Sequence, residues 1–445
     1  MAGRSSPTTV STKLQKIAIL AKEAPQRVLT TLAHHIDGDF LREAYRRTRK
    51  DGAVGVDGQT AAEYEEHLES NLQSLLDRMK SGAYVAPPVR RAYVPKSEGE
   101  ASRPIGIPTF EDKVLQRAVA MILEAVYAQD FGEASYGYRP GRSAHQALAT
   151  LWGQLMQMNG GWVITIDIKS YFETMSHAHL RAFLNQRVRD GVIRRTIDKW
   201  LKAGVLEDGK VSFPDAGVPQ GSGVAPILAN VFLHVVFDQW FAQEVQPRLR
   251  GKAVFSRFAD DIVVACACEA DAQRLMAVLP KRFGKYGLTL HPEKTRVLCF
   301  RRPPYRLSGE QGQHPTDPET FDLLGFTHYW GRSRRGHWVI KRQTAPGRLS
   351  RALRRINTWC RRARHAPVAW QHQQLVQKLR GHYAYYGITG NDQGLKHFLY
   401  GVRQRWQKWL NRRSQRRGMP WDRFAHLVER YPLPKTRIVH TASRA

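Results

Sequence analysis

The sequence predicts an α+β fold followed by a basic helical module, on three observations. Short apolar runs of strand length alternate with longer stretches of helical periodicity through the first 340 residues. Two of those runs, Ala253-Val254-Phe255 and Ile262-Val263-Val264-Ala265, flank Phe258-Ala259-Asp260-Asp261, which reads as the tip of a β-hairpin. From residue 346 onward the pattern is helical and dense in Lys and Arg.

Taken in order, residues 1–10 are polar and read as a frayed terminus. Helical spacing covers 12–36 (Leu14, Ile17, Leu20, Ala21) and 38–50. Turn residues fill 51–58, and a further helix runs from about Thr60 to Met79. Pro87-Pro88 opens a strand, Val89 to Val94, and a charged loop from Pro95 to Ser102 separates it from Arg103-Pro104-Ile105-Gly106-Ile107-Pro108. Residues 110–128 form an amphipathic helix with Val114, Leu115, Ala118, Val119, Ile122 and Leu123 on one face. A buried strand over 162–167 ends on Asp167, and helices follow at 178–203 and 224–245. After the hairpin come a helix at 270–286, a strand at 295–300 and a Pro/Gly-rich loop over 301–320. Phe321 to Trp330 and Trp338 to Lys341 make a second hairpin.

The 445 residues suffice for two or three domains, and 42% hydrophobic residues describe a globular chain. A net charge of +30 implies a polyanionic partner, and nucleic acid is the class that fits. Residues 341–445 hold 24 Lys and Arg against 3 acidic residues, so most of the excess lies in the helical module. Trp359, Tyr383, Tyr385, Tyr386, Trp406, Trp409 and Trp421 are interleaved with those charges, which argues against a disordered tail and for a packed core. Cys266, Cys268, Cys299 and Cys360 form no Cys-x-x-Cys pair, so neither a zinc ribbon nor disulfides are expected, which suits a reducing cytosol, and Cys266 and Cys268, alternating within the strand after Asp261, read as buried thiols. Neither a signal peptide nor a stretch approaching a membrane span is read from the chain.

Adjacent carboxylates repel, and a divalent cation offsets that repulsion. Two-metal phosphoryl transfer needs carboxylates from separate strands converging on the ions. Asp167 at a strand end and Asp260-Asp261 on a hairpin are suitable donors, although more than 90 residues separate them. Between them Gly217-Val218-Pro219-Gln220-Gly221-Ser222-Gly223 leads into a helix, and such a turn lets a nucleotide or template approach the backbone. Lys96 and Arg103 flank the charged loop, where two cations can clamp a triphosphate.

In this order the pieces resemble the reverse transcriptases encoded by bacterial group II introns, over nearly the whole chain. The resemblance is carried by Gly55-Val56-Asp57-Gly58 and by Lys96 through Pro108. It continues in Ser135-Tyr136-Gly137-Tyr138-Arg139-Pro140-Gly141-Arg142-Ser143 and in Asp167-Ile168-Lys169 with Tyr171-Phe172. Pro219-Gln220-Gly221, Phe258-Ala259-Asp260-Asp261, Gly287-Leu288 with Lys294-Thr295, and Leu323-Leu324-Gly325-Phe326 follow. Arg380-Gly381-His382-Tyr383-Ala384-Tyr385-Tyr386-Gly387 resembles the maturase region. The chain departs from the family pattern at Phe258 (usually Tyr), Ser170 (commonly Gly), Glu173 (commonly Asp), and Ser222-Gly223 with Ala225.

The resemblance implies a right-hand polymerase. Residues 1–80 would extend the fingers, 81–340 would form fingers and an antiparallel palm, and 341–445 a helical thumb or X (maturase) domain. It implies two Mg2+ ions, with Mn2+ as the substitute, held by Asp167, Asp260, Asp261 and the backbone carbonyl of Ile168. Lys96 and Arg103 would hold the triphosphate of the incoming dNTP. Phe172 would sit beneath the sugar as a gate against the 2′-hydroxyl, and Gln220 would lie near the nucleotide. Pro219, Gly221, Arg139 and Lys294 would contact template or primer. Implied partners are group II intron RNA, an RNA template with a DNA primer, dNTPs and target DNA, in the bacterial cytoplasm. Paired Cys and His residues of an HNH-type endonuclease are not found after the basic module. Two alternatives stay open: a splicing maturase with little polymerase activity, and a relative recruited to host defence or repair. The intact set Asp167, Asp260, Asp261, Lys96 and Arg103 favours an active polymerase.

Overall fold

The computed structural model describes residues 7–95, 102–303, 319–414 and 418–441. From the N-terminus, α1 (Pro7–Glu23), α2 (Gly38–Arg47), α3 (Ala61–Glu66) and α4 (Leu68–Ser81) precede β1 (Val89–Pro95) and β2 (Ser102–Ile107). α5 (Phe110–Asp130) and α6 (Ala144–Gln157) lead to β3 (Trp162–Ile166), α7 (Tyr171–Thr174), α8 (His177–Asn185) and α9 (Gly191–Leu201). β4 (Val205–Glu207) and β5 (Lys210–Ser212) come before α10 (Ala225–Leu233), which continues in π-helical turns to Val245. β6 (Ala253–Phe258), β7 (Asp261–Cys266), α11 (Glu269–Gly284) and β8 (Arg296–Cys299) follow. β9 (Phe321–Leu323), β10 (Phe326–Arg332) and β11 (Trp338–Thr344) precede α12 (Pro346–Arg362), α13 (Val368–Tyr386), α14 (Asp392–Asn411) and α15 (Trp421–Arg430).

Three sheets result, with strand orders β2-β1-β4-β5, β6-β7-β3-β8 and β11-β10-β9. In the first, β1 and β2 are antiparallel, pairing Arg91 with Gly106 and Val94 with Arg103, whereas β1 and β4 are parallel. The chain divides into two compact units, one comprising 1–147, 164–264 and 270–297, the other 148–163, 265–269 and 298–445.

The first unit is organised around α5. Thr109 caps the helix by accepting the Asp112 amide at 3.2 Å, and Glu111 and Asp112 in the first turn suit the positive end of its dipole. The expected single apolar face is too narrow. Val114, Leu115, Ala118, Val119, Ile122 and Leu123 are buried, but so are Ala120, Met121 and Val126 on other faces. Helices α1, α2, α3 and α10 pack around it, so nearly every side of α5 is covered.

Asp112 lies in this core at 1% exposure. It accepts the Tyr84 hydroxyl, which in turn accepts Trp200 Nε1 at 2.8 Å. Burial pushes the Asp112 carboxyl up to about 7. The folded protein therefore holds a proton that the unfolded chain releases above the ordinary carboxylate range, and this group's contribution to stability falls as pH rises toward 7. Asp112→Asn keeps the acceptor for Tyr84 and removes that loss. Each tenfold difference in proton affinity between folded and unfolded chain is worth about 1.4 kcal/mol. At pH 8 the variant should therefore be more stable than wild type, by roughly a few kcal/mol at most, and the gap should shrink toward pH 5. Thermal melts at the two pH values check this.

In the second unit, β10 and β11 pair antiparallel over seven residues from Phe326–Thr344 to Arg332–Trp338. The indole of Trp152 donates to the Ile340 carbonyl at 2.8 Å and that of Trp330 to Phe300 at 3.0 Å. Helices α12 to α15 enclose a core of Leu375, Leu379, Leu395, Phe398, Val402 and Trp406, with the Trp406 indole donating to Gln371 Oε1 at 2.9 Å. Tyr383 and Trp406 are buried, and Trp359, Tyr386 and Trp409 pack against them. The interleaved rings are thus largely core; the exceptions are Tyr385, which stacks on Phe326 instead, and Trp421, 52% exposed.

Several expected boundaries need correction. Helix begins at Pro7 within the segment read as frayed, and the helix expected to reach residue 36 stops at Glu23. The single helix expected over 178–203 is two, because Asp190 caps a new one by accepting the amides of Val192 and Ile193. Phe321 to Trp330 holds two strands, turned by Leu324 and Gly325 in the left-handed region. Helix α6 and the β4–β5 hairpin lie outside the expected elements: the two strands are three residues each, whereas α6 buries Ala147, Leu148, Leu151 and Leu155 at a helical spacing legible in the sequence. Cys268 lies beyond β7 and is only partly buried, and none of Cys266, Cys268, Cys299 and Cys360 is in a disulfide. Among the described residues one helix, Ala225–Arg248, is long and apolar enough to cross a membrane, contrary to expectation, yet 78% of its apolar window is buried in the protein, as in a core helix. Most of the loop expected over 301–320 lies outside the described residues.

Candidate active site

The Asp260–Asp261 hairpin forms as expected, with β6 and β7 joined through Ala259 and Asp260. Ala259 has φ +58°, a conformation that disfavours residues with a Cβ. The segment Ala134–Gly137 braces it. Tyr136 donates its amide to the Arg257 carbonyl at 2.8 Å, and Arg257 donates its amide to Ala134 at 2.8 Å. Gly137 lies so close that a Cβ there would stand 2.2 Å from the Ala259 nitrogen and 2.9 Å from the Phe258 carbonyl carbon. This contact accounts for a glycine at 137.

Asp167 follows β3, the strand adjacent to β7 in the sheet. Its amide is 3.2 Å from Thr295 Oγ1, and its carbonyl accepts His291 N at 2.8 Å. Lys169 N bonds Thr289 O at 2.8 Å, and Ile168 pairs with Leu290 in this bridge. These two bonds leave the Ile168 carbonyl outside the bridge's acceptors. Ser170, where relatives of the expected family carry Gly, has φ +44°, which explains the glycine preference. The tertiary fold brings Asp167 and Asp260 into one electrostatic neighbourhood. Burial pushes the Asp260 carboxyl up, Arg103 and Arg257 oppose this, and Asp167 adds to it. Lys294 Nζ lies 3.4 Å from Asp167 Oδ2, so this residue stands at the carboxylates themselves.

The Pro219-Gln220-Gly221 turn is strapped on two sides. Gly217 N bonds Met175 O at 2.8 Å and Val218 N bonds Phe172 O at 2.7 Å, while Gly106 N on β2 bonds Gln220 O at 2.7 Å. Gly221 has φ +109°, and a Cβ there would stand 2.6 Å from Gly106 O. A Cβ on Gly106 would likewise meet Pro219 Cβ at 2.8 Å. Gln220 Oε1 is buried without a hydrogen-bond partner among the described residues. Phe172 is buried against Tyr171, with ring centroids 5.4 Å apart. Arg103 is exposed on β2 and acts electrostatically on Asp260. Lys96 lies outside the described residues.

Arg139 differs from expectation. Its guanidinium donates to the carbonyls of Gly132 at 2.7 Å, Ser135 at 2.8 Å and Ala128 at 3.2 Å, and it rests on the Phe131 ring. With these bonds it closes the loop after α5. Two residues at the site escape sequence reasoning. Tyr138, half exposed with φ +55°, has its phenol pushed up by burial and then by Asp260, with Arg103 opposing and Asp261 adding. An exposed ring on a strained backbone between Gly137 and Arg139 cannot be read from residue type. The other is Arg257, where a charge inside an apolar strand pattern is the legible signal of a buried ion pair.

Divalent cations of the hard type take oxygen donors, and Mg2+ is usually held by one or two carboxylates together with substrate phosphates and water. The residues fit that pattern. Burial pushes the Asp260 carboxyl up, and a cation beside it would oppose that shift. Among the described residues no three His, Cys, Asp or Glu side chains close into a metal cage. The arrangement is an open one that substrate oxygens would complete.

Comparison with known proteins agrees. Residues 94–328 match the family described as reverse transcriptase (RNA-dependent DNA polymerase). Protein YkfC of Escherichia coli is 32% identical over 325 residues, 65% of this chain and 84% of that protein. The group II intron-encoded protein LtrA of Lactococcus lactis subsp. cremoris is 34% identical over 250 residues, 53% of this chain and 41% of that one. An uncharacterized 91 kDa protein in the cob intron of Schizosaccharomyces pombe is 23% identical over 462 residues, 90% of this chain and 56% of that one. The chain thus spans about half the length of these two intron-encoded relatives.

Proposed function

The chain belongs to the reverse transcriptase family, and from that premise we propose that it is the RNA-directed DNA polymerase and maturase of a group II intron. The observation that carries this reading is the placement of Asp167, directly after β3, beside β7 of the hairpin that bears Asp260, 93 positions on. Asp167, Asp260, Asp261 and the Ile168 carbonyl would hold two Mg2+ ions. The ions, when bound, would polarise the α-phosphate, favour loss of the proton from the primer 3′-hydroxyl and stabilise the charge on the leaving pyrophosphate.

The chain's own residues supply position. Arg103, with Lys96, grips the triphosphate and sets the α-phosphate in line with the primer end. Lys294, beside Asp167, balances charge at the carboxylates. Gln220 Oε1, an unpaired acceptor, takes a donor from the incoming nucleotide or template base. The glycines at 106 and 221 let the turn lie against β2 and present its backbone to the template. Phe172 closes the space beneath the sugar, and Phe172→Ala should admit ribonucleotides. Competition between dNTP and rNTP in primer extension checks this, and unchanged sugar selectivity returns the ring to a packing role.

The 24 basic residues of 341–445 make the thumb and X region the surface for intron RNA. The deciding experiment is extension of a DNA primer on an RNA template by the full chain. Mg2+-dependent extension supports the polymerase. Splicing assistance with no extension above background would favour the maturase with an idle site. Binding to intron RNA should weaken steeply between low and physiological salt, as phosphate contacts do.

A further inference from the structure

We propose that Arg257 is a positioning residue for nucleotidyl transfer, holding the Asp260 hairpin in its metal-binding geometry, a role that rests on the polymerase reading above. Its side chain is fully buried. Nε and Nη2 donate to the two oxygens of Asp238 at 2.8 and 2.5 Å. Nη1 donates to Asn230 Oδ1 at 2.9 Å and to the Ala259 carbonyl at 3.2 Å, and Nη2 donates to Ser135 Oγ at 2.8 Å. Asn230 passes the connection on, its Nδ2 donating to Gly137 O at 2.7 Å. One guanidinium thus joins the hairpin tip, the helix that carries Asn230 and Asp238, and the segment packed against the tip.

Stability alone does not explain this arrangement. A buried ion pair is often replaceable by apolar residues of similar volume without loss, because desolvation offsets the attraction. What apolar residues cannot do is hold the Ala259 carbonyl. That carbonyl belongs to the peptide linking Ala259 to Asp260, so its direction sets where the Asp260 side chain points. Ala259 sits at φ +58°, a conformation that persists when its surroundings overdetermine it. Asp238, held low by Arg257 although burial opposes its charge, keeps the guanidinium paired. Arg is required over Lys because only a planar fork serves five acceptor oxygens on four residues in fixed directions.

The test uses the full chain as wild type, Arg257→Lys, the paired replacement Arg257→Met with Asp238→Leu, and Asp260→Asn. Mn2+ affinity is read by electron paramagnetic resonance, together with the Mg2+ dependence of single-turnover extension and primer–template affinity. Arg257→Lys and the pair should bind Mn2+ about tenfold more weakly and need about tenfold more Mg2+, with primer–template affinity changed less than about twofold. A folded pair with wild-type Mn2+ affinity and wild-type Mg2+ dependence overturns the proposal, whatever its melting temperature. If Arg257→Lys fails to fold, the pair decides, since it leaves no buried charge unpaired. If wild type binds Mn2+ through Asp260 but extends no primer, the polymerase reading fails and the Mn2+ affinities still judge Arg257.

Discussion

Replacing Asp260 and Asp261 together by Asn should abolish primer extension while leaving the protein folded. The two side chains keep their shape and lose the charge that two cations need. With several kcal/mol of transition-state stabilisation resting on those cations, the rate should fall on the order of 10³-fold or more. Stability should move the other way. Burial and the nearby Asp167 disfavour the charged form of Asp260 more than Arg103 and Arg257 favour it. The neutral amide escapes that opposition, so the melting temperature of Asp260→Asn should equal or exceed wild type at neutral pH. Such a trade between activity and stability marks a site built for a ligand. Rapid-quench extension and a thermal melt check both halves. Equal extension by wild type and the double variant would refute the site. Binding to intron RNA should survive, because the basic residues of 341–445 are untouched.

Gly137→Ala should be almost as damaging, although residue 137 carries no chemistry. Its Cβ would enter within 2.2 Å of the Ala259 nitrogen and 3.1 Å of the Ala259 Cα. Both are backbone atoms, so no rotamer change relieves the overlap. To reach ordinary contact the hairpin tip must retreat by about 1 Å, and a misplacement of that size costs on the order of a hundredfold in rate. Overpacking should also lower stability by about 1–3 kcal/mol. Activity and melting curves of Gly137→Ala against Gly132→Ala separate the effects, because a Cβ at Gly132 meets nothing within 4 Å. Wild-type activity in Gly137→Ala would show that the tip tolerates displacement.

Much of the fold is legible in the sequence because its signals are local. The β6–β7 hairpin, β1, β3 and α5 stand out through periodicity and bounding turn residues. The long helix expected over residues 12–36 fails because helical spacing continues past Glu23, whereas Leu29 bonds to Arg187 far along the chain. Helix α9 restarts because Asp190 is buried as a cap that also accepts the amides of Leu32 and Ala33. Such partners are invisible to any window of neighbouring residues. At the site, residue types in order point to Asp167, Asp260, Asp261, Arg103 and the Pro219-Gln220-Gly221 turn. The same reasoning places Arg139 on a template, although its guanidinium closes a loop, and passes over Tyr138.

By itself the sequence determined the chemistry this protein can hold: three carboxylates, a Gly-rich turn, cations and a basic helical module in family order. Side-chain type and spacing along the chain suffice for that, because donor identity and local periodicity are properties of neighbours. Only the tertiary structure decided which of these groups share a site and in what state. It set Lys294 on Asp167, turned Arg139 inward, left Gln220 Oε1 unpaired and placed Arg257 beneath the hairpin. Burial and the charges of residues far away in the chain govern those outcomes, and both arise only when the fold has closed.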